Sequence, residues 1–155
     1  MTSIHPKFKG LTIIFLFFLM AQVILAAVMY YLQSETYFDF NFKEDPKLIV
    51  ATIGVIGGIG LVPFMYKKQL EGVLKQSGFL GKLGAYQGAQ IVSYAITEGP
   101  ALMCLVFFFM TGNLYYLLMA SILILYFVTR RPNQDRFIQE AQLTSEEKKQ
   151  MHDSM

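Results

Sequence analysis

A chain of 155 residues, 54% hydrophobic and 15% charged with a net charge of +2, fits one domain and is too weakly basic to imply a nucleic-acid partner. A single cysteine, Cys104, rules out a disulfide framework, and the two histidines, His5 and His152, lie near opposite termini with no zinc or haem ligand spacing. The apolar residues fall in long blocks instead of recurring every three or four positions, which excludes an ordinary soluble core and predicts an all-α polytopic membrane protein.

Residues 11–32 form the first predicted span, an almost unbroken apolar run interrupted by Gln22 and closed by Tyr30 and Tyr31. Ala26 and Ala27 imitate a signal-peptide cleavage site, but signal h-regions run only about 7–15 residues, so a retained anchor is expected. Residues 33–46 alternate Phe38, Phe40 and Phe42 with polar neighbours, as a short extended segment or an aromatic layer among headgroups would. The second span covers 47–66, started by Asp45 and Pro46 and bent near its end by Pro63. Residues 67–84 read as an amphipathic extension broken by Gly78, Gly81 and Gly84.

The third span covers 85–110 and the fourth 114–129, joined as a hairpin by Thr111, Gly112 and Asn113. The four-span domain thus occupies 1–132. A short helical tail over 133–155, read as solvated, follows, with Thr144 and Glu147 spaced as a capping box. Lysine and arginine gather in the N-terminal arm, in 67–84 and after residue 129, so both termini and the tail are expected in the cytoplasm.

Glu98 is the one acidic residue inside any span, near the midpoint of 85–110. A charged aspartate at the centre of a membrane helix costs roughly 2.5–3.5 kcal/mol on insertion scales, so such carboxyl groups usually face protein or water. Gln87, Gln90, Ser93, Tyr94, Thr97 and Glu98 share an arc of roughly 140° on that helix. Gln22, Thr97, Glu98 and Ser121 are expected to share one layer across the bundle. With no basic residue in that layer, desolvation disfavours a bare carboxylate, so Glu98 should be protonated or hold water or a small cation. Pro100, with Gly99, should kink the helix and free the carbonyl of Ile96 beside the carboxyl group. Gly54, Gly57 and Gly58 on the second span, and Gly88 and Gly99 on the third, are expected to form facing small-residue surfaces.

These residues carry two resemblances. The stretch AITEGPAL over 95–102, preceded by GVIGGIG, resembles the proteolipid c subunit of rotary ATP synthases, which would imply that Glu98 carries a proton or sodium ion; the proline after the glutamate and the flanking extra spans depart from that family. Over most of its length, through YAITEGPAL, TGN, RRP and LTSEE, the chain is similar to uncharacterised four-span proteins of Bacteroidota, which implies a bacterial inner-membrane address.

The residues themselves support a non-enzymatic protein with no cofactor, since no span offers a nucleophile with a base. The bilayer is its expected surroundings, with copies of itself or other membrane subunits as partners. Glu98 either binds or relays a proton or cation, or only hydrogen-bonds neighbouring helices in an assembly role. Topology reporters fused at residue 40 should be active outside the cytoplasm, and those at residue 140 inside; a cytoplasmic residue 40 overturns the orientation.

Overall fold

The computed structural model describes residues 6–153, with side chains from 8 to 151, so His5 and the side chains of Lys7 and His152 lie outside the described residues. Six helices follow one another: α1 (Pro6–Leu32), α2 (Lys47–Leu74), α3 (Phe79–Thr111), α4 (Leu114–Thr129), α5 (Gln134–Glu140) and α6 (Ser145–Asp153). No strand forms among the described residues; the one bridge pairs Tyr37 with Asn113. The protein is an all-α polytopic bundle. Helices α1, α2 and α3 are each long and apolar enough to cross a membrane, while α4 reaches that measure only together with α5, across a bend of 75°.

Helix α3 is the centre of the bundle and touches α1, α2, α4 and α6. Its 33 residues rise about 50 Å, against about 30 Å of hydrocarbon. Helix α1 runs parallel to it: Phe8 meets Tyr86, Phe15 and Phe18 meet Tyr94, and Tyr30 stacks near Phe108. Phe8, Leu11, Phe15 and Gln22 repeat at three- and four-residue intervals, or their sums, and form the buried stripe of α1. Ile13, Phe17, Met20 and Ile24 stay exposed on its other side, as a lipid-facing helix requires.

Helix α2 packs antiparallel to α3 through two of its five glycines. A methyl group at Gly58 would meet Pro100 Cγ at 3.5 Å and the Ile96 carbonyl at 3.9 Å, and one at Gly54 would meet Met103 Cε at 2.9 Å. The expected packing roles of Gly57, Gly88 and Gly99 do not hold, since nothing lies within 4 Å of a side chain added at any of them. Gly88 and Gly99 lie on the exposed outer face of α3, because Ile96, Pro100 and Met103 occupy the side that meets α2. Helix α2 also continues through Pro63 to Leu74 as one helix.

The hairpin between α3 and α4 forms as expected. Gly112 adopts φ 74°, and a side chain there would collide with the Glu35 carbonyl at 2.5 Å. Asn113 then caps α4 through a bond from the Tyr115 amide (3.0 Å) while exchanging two more with the backbone of Asp39, which ties the 33–46 loop to the turn. Asp45 accepts from the Lys47 amide at 3.1 Å and from the Tyr116 hydroxyl. Burial works against its ionisation, but these bonds and the nearby Lys47 charge outweigh it and hold the carboxyl below the usual range.

The tail is not a solvated appendage. Phe137 is fully buried among Phe8, Phe79 and Tyr86, with Ala141, Leu143 and Met151 in the same cluster. The first turns of α3 project past the apolar layer and give α5 and α6 a surface to dock on. The capping box forms as spaced, with the Thr144 amide donating to Glu147 at 2.8 Å, and the same carboxylate accepts from Lys82 of α3 at 2.9 Å. The Thr144 amide first and the Lys82 ammonium next hold the Glu147 carboxyl below its ordinary value, although burial opposes this. A carboxyl depressed on folding stabilises above its unfolded value, about 4.3, and loses that contribution as pH falls through the lower folded value. Limited proteolysis should therefore leave the tail protected at neutral pH and cut it in the acid range below about 4.3. Phe137→Ala should weaken tail docking by about 3–5 kcal/mol and expose the same cleavage sites at pH 7.

Candidate functional site

Helix α3 buries Gln90, Ser93, Tyr94 and Thr97 along one face, as their spacing predicts. Their bonds go to different places. Ser93 donates to the Ala89 carbonyl at 2.9 Å and Thr97 to the Ser93 carbonyl at 3.0 Å, so α3 itself satisfies both hydroxyls and neither needs a wet crevice. Ser121 donates to Leu117 of its own helix and is exposed, which takes it out of the expected layer. The reason is register: Ala120 and Leu123 fill the inward face of α4, and Ser121 is turned off it.

Gln90 belongs to a network at the end of the bundle that carries Lys82, Arg130 and Arg136. Its amide donates to the hydroxyls of Tyr66 (2.9 Å) and Tyr86 (3.0 Å), and Tyr66 donates to Glu140, which accepts from Arg136 at 2.8 Å. Arg130 and Arg136 both lie over the Tyr66 ring, at 4.9 and 5.5 Å from its centroid. Sequence reasoning missed Tyr66, Tyr86 and Glu140 as members of a polar cluster. The i,i+4 spacing of Arg136 with Glu140 was the available signal; the reach from α5 to α2 had none.

Glu98 is half-buried, and no hydrogen bond or ion pair reaches its carboxyl group among the described residues. Its position follows from one contact and the helical rise. Phe18 of α1 meets Tyr94 of α3 with ring centroids 6.4 Å apart, and both helices run the same way. Gln22 lies one turn beyond Phe18 and Glu98 one turn beyond Tyr94, so the amide and the carboxyl group leave neighbouring helices at about the same level. Gln22 is fully buried, and neither its oxygen nor its nitrogen has a partner.

The end of α4 gives the level of Glu98 within the bundle. The Tyr94 hydroxyl reaches the Arg130 carbonyl, just past the end of α4, at 3.4 Å. Glu98 is one helical turn deeper, about 6 Å of rise, and helical side chains lean back toward the helix N terminus, here toward the basic end. The opening turns of α3, beyond that level, pack on Phe137. The carbonyl freed by Pro100 is not beside the carboxyl group. Ile96 and Pro100 press on Gly58 of α2, whereas Glu98 follows by one turn Tyr94, the residue that meets Phe18 of α1. Of the expected constellation, then, Gln22 and Glu98 leave neighbouring helices at about the same level without bonding each other, the Thr97 hydroxyl is already used by its own helix, Gln90 bonds Tyr66 and Tyr86, Tyr94 bonds Arg130, and Ser121 is turned outward.

Two neutral or ionised groups of this kind can share a proton, a water or a small cation. The amide oxygen accepts from a protonated carboxyl group or ligates a cation, and the amide nitrogen donates to a carboxylate. No metal-binding group of three or more histidine, cysteine or acidic side chains occurs among the described residues. Comparison of the chain with protein-family models, with curated proteins and with solved structures finds no match.

A buried amide with no partner carries a desolvation cost of about 1–3 kcal/mol. Gln22→Leu should therefore raise the thermal midpoint in detergent without added cation, and should flatten any dependence of that midpoint on sodium or pH between 5 and 8. A midpoint lowered as a cavity mutation would lower it shows that Gln22 is packed and bonded.

Proposed function

We propose that this protein is a non-enzymatic membrane bundle in which Glu98, with Gln22, takes up a proton or small cation from the basic side. The supporting observation is a pair of polar side chains from α1 and α3, one turn past the same aromatic contact, neither of which has a protein partner. In this reading the basic end faces the cytoplasm of a bacterial inner membrane, as positive-inside asymmetry favours.

The depth of the carboxyl group suits exchange. At about one turn inside the Arg130 level it is close enough for hydration from one side, and hydrocarbon on its flank penalises a bare charge. Proton or cation occupancy relieves that penalty. The competing assembly role, in which Glu98 only bonds a neighbouring helix, draws less support because no bond from Glu98 to another helix forms among the described residues.

The test compares wild type, Glu98→Gln and Glu98→Ala in reconstituted vesicles, reading proton and sodium flux beside folded yield. Glu98→Gln should fold at the wild-type yield and lose ion-dependent behaviour. Wild-type ion behaviour in Glu98→Gln removes the proposal; a fall in yield for Ala alone, with no ion effect in any variant, favours the assembly role.

A further inference from the structure

The bend between α4 and α5 carries charges that the network around Tyr66 does not use. Next to it lies a groove of about 340 Å³, walled on one side by Phe8 and Thr12 of α1 and on the other by Arg131, Asn133, Gln134 and Asp135. Arg131 and Asp135 are exposed, and neither makes an ion pair among the described residues although they are four apart. In a continuous helix that spacing would let them bridge, but the chain turns by 75° between α4 and α5, and the two charges stay unpaired along one wall.

Each wall has a complementary set of unused atoms. Gln134 Nε2 is buried with no acceptor, a donor aimed at nothing in the protein. Asn133 spends its oxygen on the Asp135 amide at 2.9 Å, which leaves its amide nitrogen as a donor. Thr12 donates its hydroxyl proton to the Phe8 carbonyl at 2.9 Å, which leaves its oxygen as an acceptor only. The groove therefore offers one cation with amide donors and one carboxylate with a hydroxyl acceptor. Phe8, only 2% exposed and wedged between Tyr86 and Phe137, gives it a fixed floor.

We infer that this groove binds a zwitterionic lipid headgroup, a phosphate diester bearing a primary ammonium, as in phosphatidylethanolamine. The position fits, because the groove lies where α4 leaves the apolar layer at Thr129 and α1 enters it, the level of lipid phosphates. Arg131 and the Gln134 amide receive the phosphate oxygens, and Asp135 and Thr12 accept from the ammonium. An anionic headgroup without an ammonium would leave Asp135 facing the phosphate unpaired. A choline headgroup has no N–H to donate, so Asp135 and Thr12 would stay unsatisfied. The inference rests on the chain lying in a bilayer and is independent of Glu98.

The experiment measures binding of phosphatidylethanolamine, phosphatidylglycerol and phosphatidylcholine to the full chain in detergent by native mass spectrometry, with soluble phosphoethanolamine as a further arm. Phosphatidylethanolamine should bind roughly tenfold tighter than either other lipid, the worth of one charge-assisted hydrogen bond. Arg131→Gln should weaken all phosphate-bearing lipids, and Asp135→Asn should remove the preference for phosphatidylethanolamine over phosphatidylglycerol; both residues are exposed, and unchanged circular dichroism will show that the variants fold. Equal binding of the three lipids, tighter binding of phosphatidylglycerol by wild type, or no change in either variant overturns the inference. So does full occupancy by phosphoethanolamine alone, which would make the ligand a soluble phosphate ester.

Discussion

Hydrocarbon offers no partner to a peptide N–H or C=O, so a chain that crosses it must bond its backbone to itself, and the rest of this structure follows from how α3 meets that demand. At 33 residues α3 is longer than the layer it crosses, and the surplus projects at the end that carries the lysines and arginines. Phe79, Leu83 and Tyr86 in that projection would be apolar surface in water. The tail covers them, with Phe137 between Tyr86 and Phe79, and Glu147 is tied to Lys82. The bundle and its tail thus share a core at the basic end.

The same demand sorts the polar side chains. Hydroxyls of Thr12, Thr52, Ser93, Thr97, Thr111 and Ser121 bond the carbonyl one turn back, the partner that is always within reach in a helix. Longer groups reach other elements and gather at the two ends of the bundle. Gln90, Tyr66, Tyr86, Glu140 and Arg136 join at the basic end, and Asn113, Asp39, Asp45 and Tyr116 at the hairpin end. Glu98 and Gln22 are neither at an end nor able to bond their own helix as a hydroxyl does. That leaves both without a protein partner among the described residues, which is the basis of the proposed proton or cation site.

The two ends also differ in chemistry. At the hairpin end an uncharged asparagine and a left-handed glycine hold the loop by backbone bonds. The basic end is built from ion pairs, aromatic rings and a bent helix pair. The Tyr66 and Gln90 network lies on the basic side of Glu98, and the docked tail is on the same side as the proposed route of access.

The apolar blocks, the hairpin at residues 111–113, the capping box at Thr144 and the isolation of Glu98 were legible in the sequence because each depends on neighbours in the chain or on composition alone. Facing surfaces were not. Which glycines meet a neighbour, which way Ser121 turns, and that the Ile96 carbonyl faces Gly58 while Tyr94 meets Phe18 of α1 all depend on the rotation of one helix against another. That rotation is set by the sum of many apolar contacts, in which Phe18 against Tyr94 or Pro100 against Gly58 is a small part. A periodic pattern shows which side of a helix is buried, and only the packed bundle decides what it is buried against, which is why the sequence could place Gln22 at the level of Glu98 but only the tertiary structure turned Ser121 out of that layer and folded the tail onto α3.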